Sequence, residues 1–329
     1  MFVLNQNYLS RKEGFYYSCP WIEHGLVFFP SKLTMCCFCG SDTNNHTLVQ
    51  DNFDGSNLNL ERIFKIKDKF RYFHKKGKIH TNCMNCPSLK LDAWDERNYI
   101  DSLYISHWSQ CNSKCMYCYS NIHPEDFSKK SYKVFDIIKK MCDTGILKRN
   151  SKVLFGGGEP ALLDEFENLI SFFIDNGFQN IRVHSSGIKY ISCLERGLSE
   201  NRIHLVISVD SGSKEVYKKI KNVDCYDIVR QNIKQYAKFK TSSGIANVSA
   251  KYIVIPGVND YISEIDNWLI ANKEDGLSYT ILDIEENWYN ENKNNIPKYI
   301  FDLLKYTKQR SFELGTYFEL YERIEKLLY

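Results

Sequence analysis

The chain has 329 residues, 43 basic against 40 acidic, with 43% hydrophobic and 25% charged residues. Those fractions exclude a disordered or fibrous chain, and the length allows a substantial core without covalent staples. A net charge of +3 predicts neither a nucleic acid nor an anionic membrane as partner, and no run of 18 apolar residues predicts a membrane helix. The first residues, MFVLNQNYLSRKEGFYYS, lack the basic-then-apolar order of a secretion signal, so a cytoplasmic location is expected.

Residues 1–98 form the first expected domain. They hold six of the chain's 12 cysteines, at 19, 36, 37, 39, 83 and 86. In a reducing compartment, clustered cysteines bind metal or do redox chemistry rather than form disulfides. Cys83 and Cys86 make a C-x2-C knuckle, in which two thiolates reach one metal centre. Cys19 and either Cys36 or Cys37 would complete a set of four, with Cys39 a lesser alternative. Such a set holds zinc or a [4Fe–4S] cluster. Between the pairs, KIKDKFRYFHKKGK at 65–78 carries seven basic residues and one acid, which predicts a solvated helix. Its best functional use would be the phosphates of a nucleotide-linked substrate.

Residues 99–329 form the second expected domain. Strands are predicted at Tyr99–Ser106, Lys152–Phe155, Asn180–Ser185, His204–Val209, Val248–Val254 and Tyr279–Ile284. Helical patterns fall between them, near 132–142, 162–176, 188–198, 214–220, 226–239 and 261–271. That alternation implies βαβ units and a parallel sheet, and six units suit a partial (β/α)6 TIM-like barrel. The tail, 297–329, reads as two further helices.

The sequence CNSKCMYC follows the first of these strands, on the face where parallel barrels carry their active sites. Cys111, Cys115 and Cys118 are three thiolates within eight residues, too few for a closed four-cysteine site. A cubane cluster held by three cysteines leaves one iron open, whereas zinc would need a fourth ligand such as His107. The second strand then ends in KVLFGGGEP. The C-x3-C-x2-C spacing, aromatic Tyr117 before the third cysteine, and this glycine run resemble the radical S-adenosylmethionine superfamily.

The resemblance implies a [4Fe–4S] cluster on Cys111, Cys115 and Cys118, with S-adenosylmethionine on its open iron. It implies that Gly157, Gly158 and Glu159 receive the methionyl ammonium. Ser208 and Asp210 become candidates for contacts to the ribose or carboxylate, and Lys251 for the methionyl carboxylate. One electron from a low-potential donor such as flavodoxin or ferredoxin would cleave the cofactor to a 5′-deoxyadenosyl radical. That radical would abstract a hydrogen atom from the substrate. Upstream, Cys19, Trp21, Gly25, Cys36-Cys37 and Cys83 with Cys86 resemble one half of the SPASM auxiliary-cluster domain, here placed before the barrel. One closed auxiliary [4Fe–4S] cluster is therefore implied. The expected substrate is a small molecule, such as a sugar nucleotide or polysaccharide precursor, undergoing oxidation or rearrangement. The alternatives are a peptide-modifying maturase and, from another class, a non-catalytic zinc-binding interaction protein.

Overall fold

The computed structural model describes all residues except 5, 9–12, 31, 37–47, 52, 57, 85, 87, 123–131 and 321–329. The α/β chain divides into two compact units. One comprises Met1–Ser109, Asp126–Gly157 and Asp175–Asn180; the other comprises Gln110–Glu125, Gly158–Ile174 and Ile181–Tyr329.

The first unit carries the strands β1 (Phe2–Leu4), β2 (Phe15–Ser18), β3 (Gly25–Phe29), β4 (Lys32–Thr34), β5 (Leu48–Asp51), β6 (Lys78–His80), β7 (Lys90–Ala93), β8 (Ile100–Ile105) and β9 (Leu147–Phe155). β8 is flanked in parallel by β9 and β3, and β3 continues antiparallel into β4 and β5. β1 pairs with β6, and β2 with β7, as separate antiparallel ribbons. The sequence reading has no strand before residue 99, yet Gly25–Phe29 runs parallel to β8. Leu26, Val27 and Phe28 are fully buried, as in a strand covered on both faces.

Helix Leu60–Lys75 starts at Asn59, whose side chain accepts the Arg62 N–H. It corrects the expectation of a solvated helix. Ile63, Lys67, Phe70, Arg71 and His74 repeat at helical spacing and are buried. Lys67 Nζ donates to the carbonyls of Trp21 and Ile22, each at 3.0 Å. Arg71 Nε lies 2.8 Å from Glu23 Oε2, and Arg71 Nη2 donates to the Glu23 carbonyl at 2.9 Å. At the end of the short helix Pro20–His24 these two cations bond the Ile22 and Glu23 carbonyls and share the Trp21 carbonyl with the Gly25 N–H.

The second unit holds β10 (Asn180–Ser185), β11 (Ile203–Ser208), β12 (Val248–Val254), β13 (Tyr279–Ile284) and β14 (Tyr317–Leu320), paired in that order and all parallel. Helices Lys214–Lys221, Tyr226–Tyr236, Ile262–Glu274 and Lys298–Glu313 alternate with them, the arrangement of a partial TIM-like barrel. Every residue of β12 is buried. The tail shows one of the two helices expected of it, followed by a strand. Among its described residues Lys298–Glu313 is helical and Tyr317–Leu320 is a strand on the open edge of β13, while 321–329 lie outside the described residues. Aromatic residues at 317 and 318 suit that edge, and ladder hydrogen bonds there outweigh a short helix. Among the described residues, no helix is long and apolar enough to cross a membrane.

Candidate active site

The cysteine loop belongs to the second unit. Ser113 Oγ lies 3.4 Å from Cys111 Sγ and 3.5 Å from Cys115 Sγ, so one hydroxyl bridges two thiols. The Cys118 N–H donates to the Cys115 carbonyl at 3.1 Å, closing the turn. The loop is pinned by its backbone to the end of helix Lys214–Lys221. Lys114 N–H donates to the Lys221 carbonyl at 3.0 Å, and Met116 N–H to the Ile220 carbonyl at 2.9 Å. Desolvation pushes the Cys111 thiol up, against hydrogen bonds from Ser113. Such thiols become thiolates when a cation compensates them. Three sulfurs on one tight turn suit a cubane cluster with one open position.

Tyr117 links this sulfur set, through Cys115, to a buried polar knot. Its hydroxyl donates to Asp210 Oδ2 at 2.5 Å and accepts from Lys221 Nζ at 2.8 Å. Lys221 and Asp210 form an ion pair with side chains 2% and 0% exposed. Asp210 Oδ1 accepts the Ile253 N–H at 2.8 Å, and its carbonyl accepts from Asn259 Nδ2 at 2.8 Å. Asp210 sits at φ 59°, a left-handed conformation that Asp tolerates better than most residues. Both carboxylate oxygens of Asp210 are thus engaged within the protein.

The glycine turn meets the loop through Glu159. Gly157 has φ 91°, and a Cβ there would lie 2.7 Å from Ser106 Oγ and 2.9 Å from the Trp108 carbonyl. Only glycine fits. Glu159 N–H donates to the Gln110 carbonyl at 2.7 Å. Its carboxylate accepts from Ser185 Oγ at 2.8 Å, Ser186 N–H at 2.7 Å and Ala161 N–H at 3.3 Å. Ser186 Oγ donates in turn to Asn112 Oδ1 at 2.9 Å. The Glu159 side chain therefore ties two strand connections together, while its backbone N–H and Ser186 Oγ join them to the cysteine loop.

Ser208 and Lys251 are register partners on β11 and β12. Lys251 Nζ lies 3.1 Å from Asp283 Oδ2 on β13. A polar row continues across these strands. His204 bonds Ser249 Oγ at 2.5 Å, and Arg182 pairs with Glu319 at 3.4 Å. Burial, then the charges of Lys251, Arg182 and His204, push His184 down to about 3.

The upstream cysteines lie in the first unit. Cys19, Cys36 and Cys83 are buried and Cys86 is half-buried; Cys37 and Cys39 fall outside the described residues. Cys19 Sγ accepts the Ile22 N–H at 3.4 Å, and the Cys86 N–H donates to the Cys83 carbonyl at 3.1 Å. Gly25 donates its N–H to the Trp21 carbonyl, and a Cβ there would lie 2.6 Å from the Trp21 ring. Burial pushes the Cys19 thiol up to about 12, with Cys36 adding most among the neighbouring thiols. Burial also raises Cys83, and Cys19, Cys36 and Cys86 add to it. Among the described residues no three His, Cys, Asp or Glu side chains are arranged to hold a single metal ion. The four thiols nonetheless lie near enough to oppose one another's ionisation, which a bound cationic centre would relieve.

Several residues of these networks carry no signal in the sequence reading, among them Lys221, inside a lysine-rich helix, Asn259 and Asp283. Asp283, near the C-terminal end of a parallel strand, and Asn259, on the loop after β12, stand where active-site residues gather.

Comparisons with known proteins give the chain's family and fold relatives. A GTP 3',8-cyclase of Clostridium botulinum (strain Okra / Type B1) is 24% identical over 193 residues, 56% of this chain and 56% of that protein. A cysteine-type anaerobic sulfatase-maturating enzyme of Clostridium perfringens is 26% identical over 151 residues, 42% of this chain and 40% of that protein. The chain thus spans about half the length of the curated relatives it matches. Streptococcus suis SuiB, crystallised with its precursor peptide SuiA, shares the fold with a TM-score of 0.54 at 13% identity, over 83% of this chain and 57% of that one. Residues 105–269, half of the chain, match the Radical SAM superfamily, and the chain belongs to that superfamily, whose chemistry uses a [4Fe–4S] cluster, S-adenosylmethionine and a reductant.

Proposed function

We propose that Cys111, Cys115 and Cys118 ligate the catalytic [4Fe–4S] cluster of a radical S-adenosylmethionine enzyme acting on a polar small molecule. The observation that carries this reading is the three-thiol turn, bound through Gln110 and Asn112 to the Glu159–Ser186 network at the strand ends. Bound there, the cluster and S-adenosylmethionine supply a one-electron cleavage whose carbon radical removes a hydrogen atom from substrate. The backbone at Gly157 and Gly158 receives the methionyl ammonium. Ser208 and Lys251 reach the ribose or carboxylate, while Tyr117, Glu159 and Asp210 hold the surrounding backbone. The electron comes from a low-potential protein of the flavodoxin or ferredoxin kind.

Residues 1–98 act in this reading as an auxiliary-cluster domain, with Cys19, Cys36, Cys83 and Cys86 as ligands. Four protein ligands leave no open iron, so this second [4Fe–4S] cluster accepts or relays an electron. The row of Arg182, His184, His204, Ser249, Lys251 and Asp283 supports a polar substrate, such as a sugar nucleotide or polysaccharide precursor. A peptide substrate is the second reading, supported by the sulfatase-maturating relative.

Anaerobic reconstitution tests both sites. The expected result is about eight irons per chain, with release of 5′-deoxyadenosine on adding reductant and S-adenosylmethionine. Cys115→Ala abolishes the release. Cys86→Ala halves the iron and leaves cofactor cleavage in place. Zinc without deoxyadenosine overturns the enzyme reading in favour of a zinc-binding interaction protein.

A further inference from the structure

The knot behind Tyr117 holds a full ion pair next to a set of thiolates, and no substrate or cofactor contact requires it. We infer that Lys221 and Asp210 are positioning residues that set the reduction potential of the cluster on the Cys111–Cys118 loop, Lys221 raising it and Asp210 lowering it. This inference rests on the reading of that loop as the cluster site.

The geometry has two parts. Lys221 supplies both the carbonyl that fixes Lys114 and the ammonium that bonds Tyr117, so one residue grips the loop between Cys111 and Cys118 twice. Its ammonium lies 5.2 Å from the Tyr117 ring centroid, and its side chain is 2% exposed. Burial opposes that charge, but Asp210, then Cys115 and Cys111, hold it in place by attraction. Asp210 is anchored from the other side by Ile253 N–H and Asn259, while Val216, Ile220, Ile253 and Ile255 pack with Tyr117 and Val258 around the knot. The two charges are therefore fixed, dry and close to the sulfur set. Reduction adds one electron and one negative charge to a cluster. A fixed cation nearby favours that step and a fixed anion disfavours it, more strongly in a dry interior than in water.

The test is the midpoint potential of the reconstituted protein, followed by electron paramagnetic resonance without S-adenosylmethionine, on the signal that Cys115→Ala removes. Lys221→Met is expected to shift that potential down, and Lys221→Arg to restore it. Asp210→Asn is expected to shift it up. A purely structural role gives shifts of one sign, or loss of iron, in all variants. Equal or same-signed potentials in Lys221→Met and Asp210→Asn overturn the inference. Where Lys221→Met fails to load iron, Asp210→Asn decides alone: a rise supports the inference, and no change or a fall overturns it. Absence of any signal sensitive to Cys115→Ala overturns the site reading itself, and this inference with it.

Discussion

Glu159 is the residue whose use differs most from the obvious one. A carboxylate in a glycine-rich turn suggests an acceptor for a ligand's ammonium, yet three protein donors already occupy it. Glu159→Gln turns one acceptor oxygen into a donor facing another donor, at a cost of about 1–3 kcal/mol. Its urea midpoint is expected to fall, and an unchanged midpoint would show that the network is slack. Gly157→Ala meets a different obstacle: its φ of 91° and the approach of Ser106 Oγ to 2.7 Å leave no room for a methyl group. That variant is expected to bind S-adenosylmethionine at least tenfold more weakly, read by equilibrium dialysis (about 1.4 kcal/mol or more). The C-x3-C-x2-C motif was legible in the sequence because its spacing is local. Lys221 was not, because Tyr117 lies 104 residues from it and only the fold brings them together.

The helix Leu60–Lys75 shows the same limit for an element. Its composition reads as solvated, but helical spacing turns Lys67, Arg71 and His74 to the buried face. Arg71 and Glu23 are 3% and 0% exposed, and Tyr16 and Ser18 also bond the Glu23 carboxylate. Arg71→Met leaves that carboxylate buried without its cation, which costs about 3–5 kcal/mol. The expected outcome is a lowered thermal midpoint together with loss of iron from the Cys19 site, because Glu23 and Cys19 frame one short helix. Retained stability would mean that Lys67 compensates instead. The strands β10 to β13 were legible from short Ile- and Val-rich runs. β14 was not, since Tyr317–Leu320 has no helix-breaking or turn signal of its own and takes its conformation from the free edge of β13.

Among the described residues, burial pushes four histidines down, His24 among them, and makes folding sensitive to acid. His74 and His204 are pushed down to about 4, and His184 to about 3, each chiefly by burial. Unfolding returns them to the ordinary value near 6.5. Below that pH the unfolded chain binds more protons than the folded one, so stability is lost as pH falls from about 6.5 toward 4. Urea midpoints are expected to be lower at pH 5 than at pH 7.5, and His204→Gln is expected to flatten the difference. A flat profile in the parent chain would contradict the buried, neutral assignment. The alternation of strands and helices was readable over the second half because parallel barrels repeat their units. The parallel strand Gly25–Phe29 escaped notice because it lies among cysteines and far from its partner β8 in the chain.

The grip of Lys221 on the cysteine loop also imposes an order in time. All three thiols leave the ribosome well before the helix that pins their loop. At roughly 5–20 residues per second, the 104 residues between Tyr117 and Lys221 take on the order of 5–20 s to make. During that interval the thiols are unshielded and the loop has no fixed shape. Were this loop to take the proposed cluster, loading would wait for the later half of the chain, and anything that stalls synthesis between residues 118 and 221 lengthens the exposure of bare thiols to oxidants. Slowed translation and air should harm this protein together, each making the other worse.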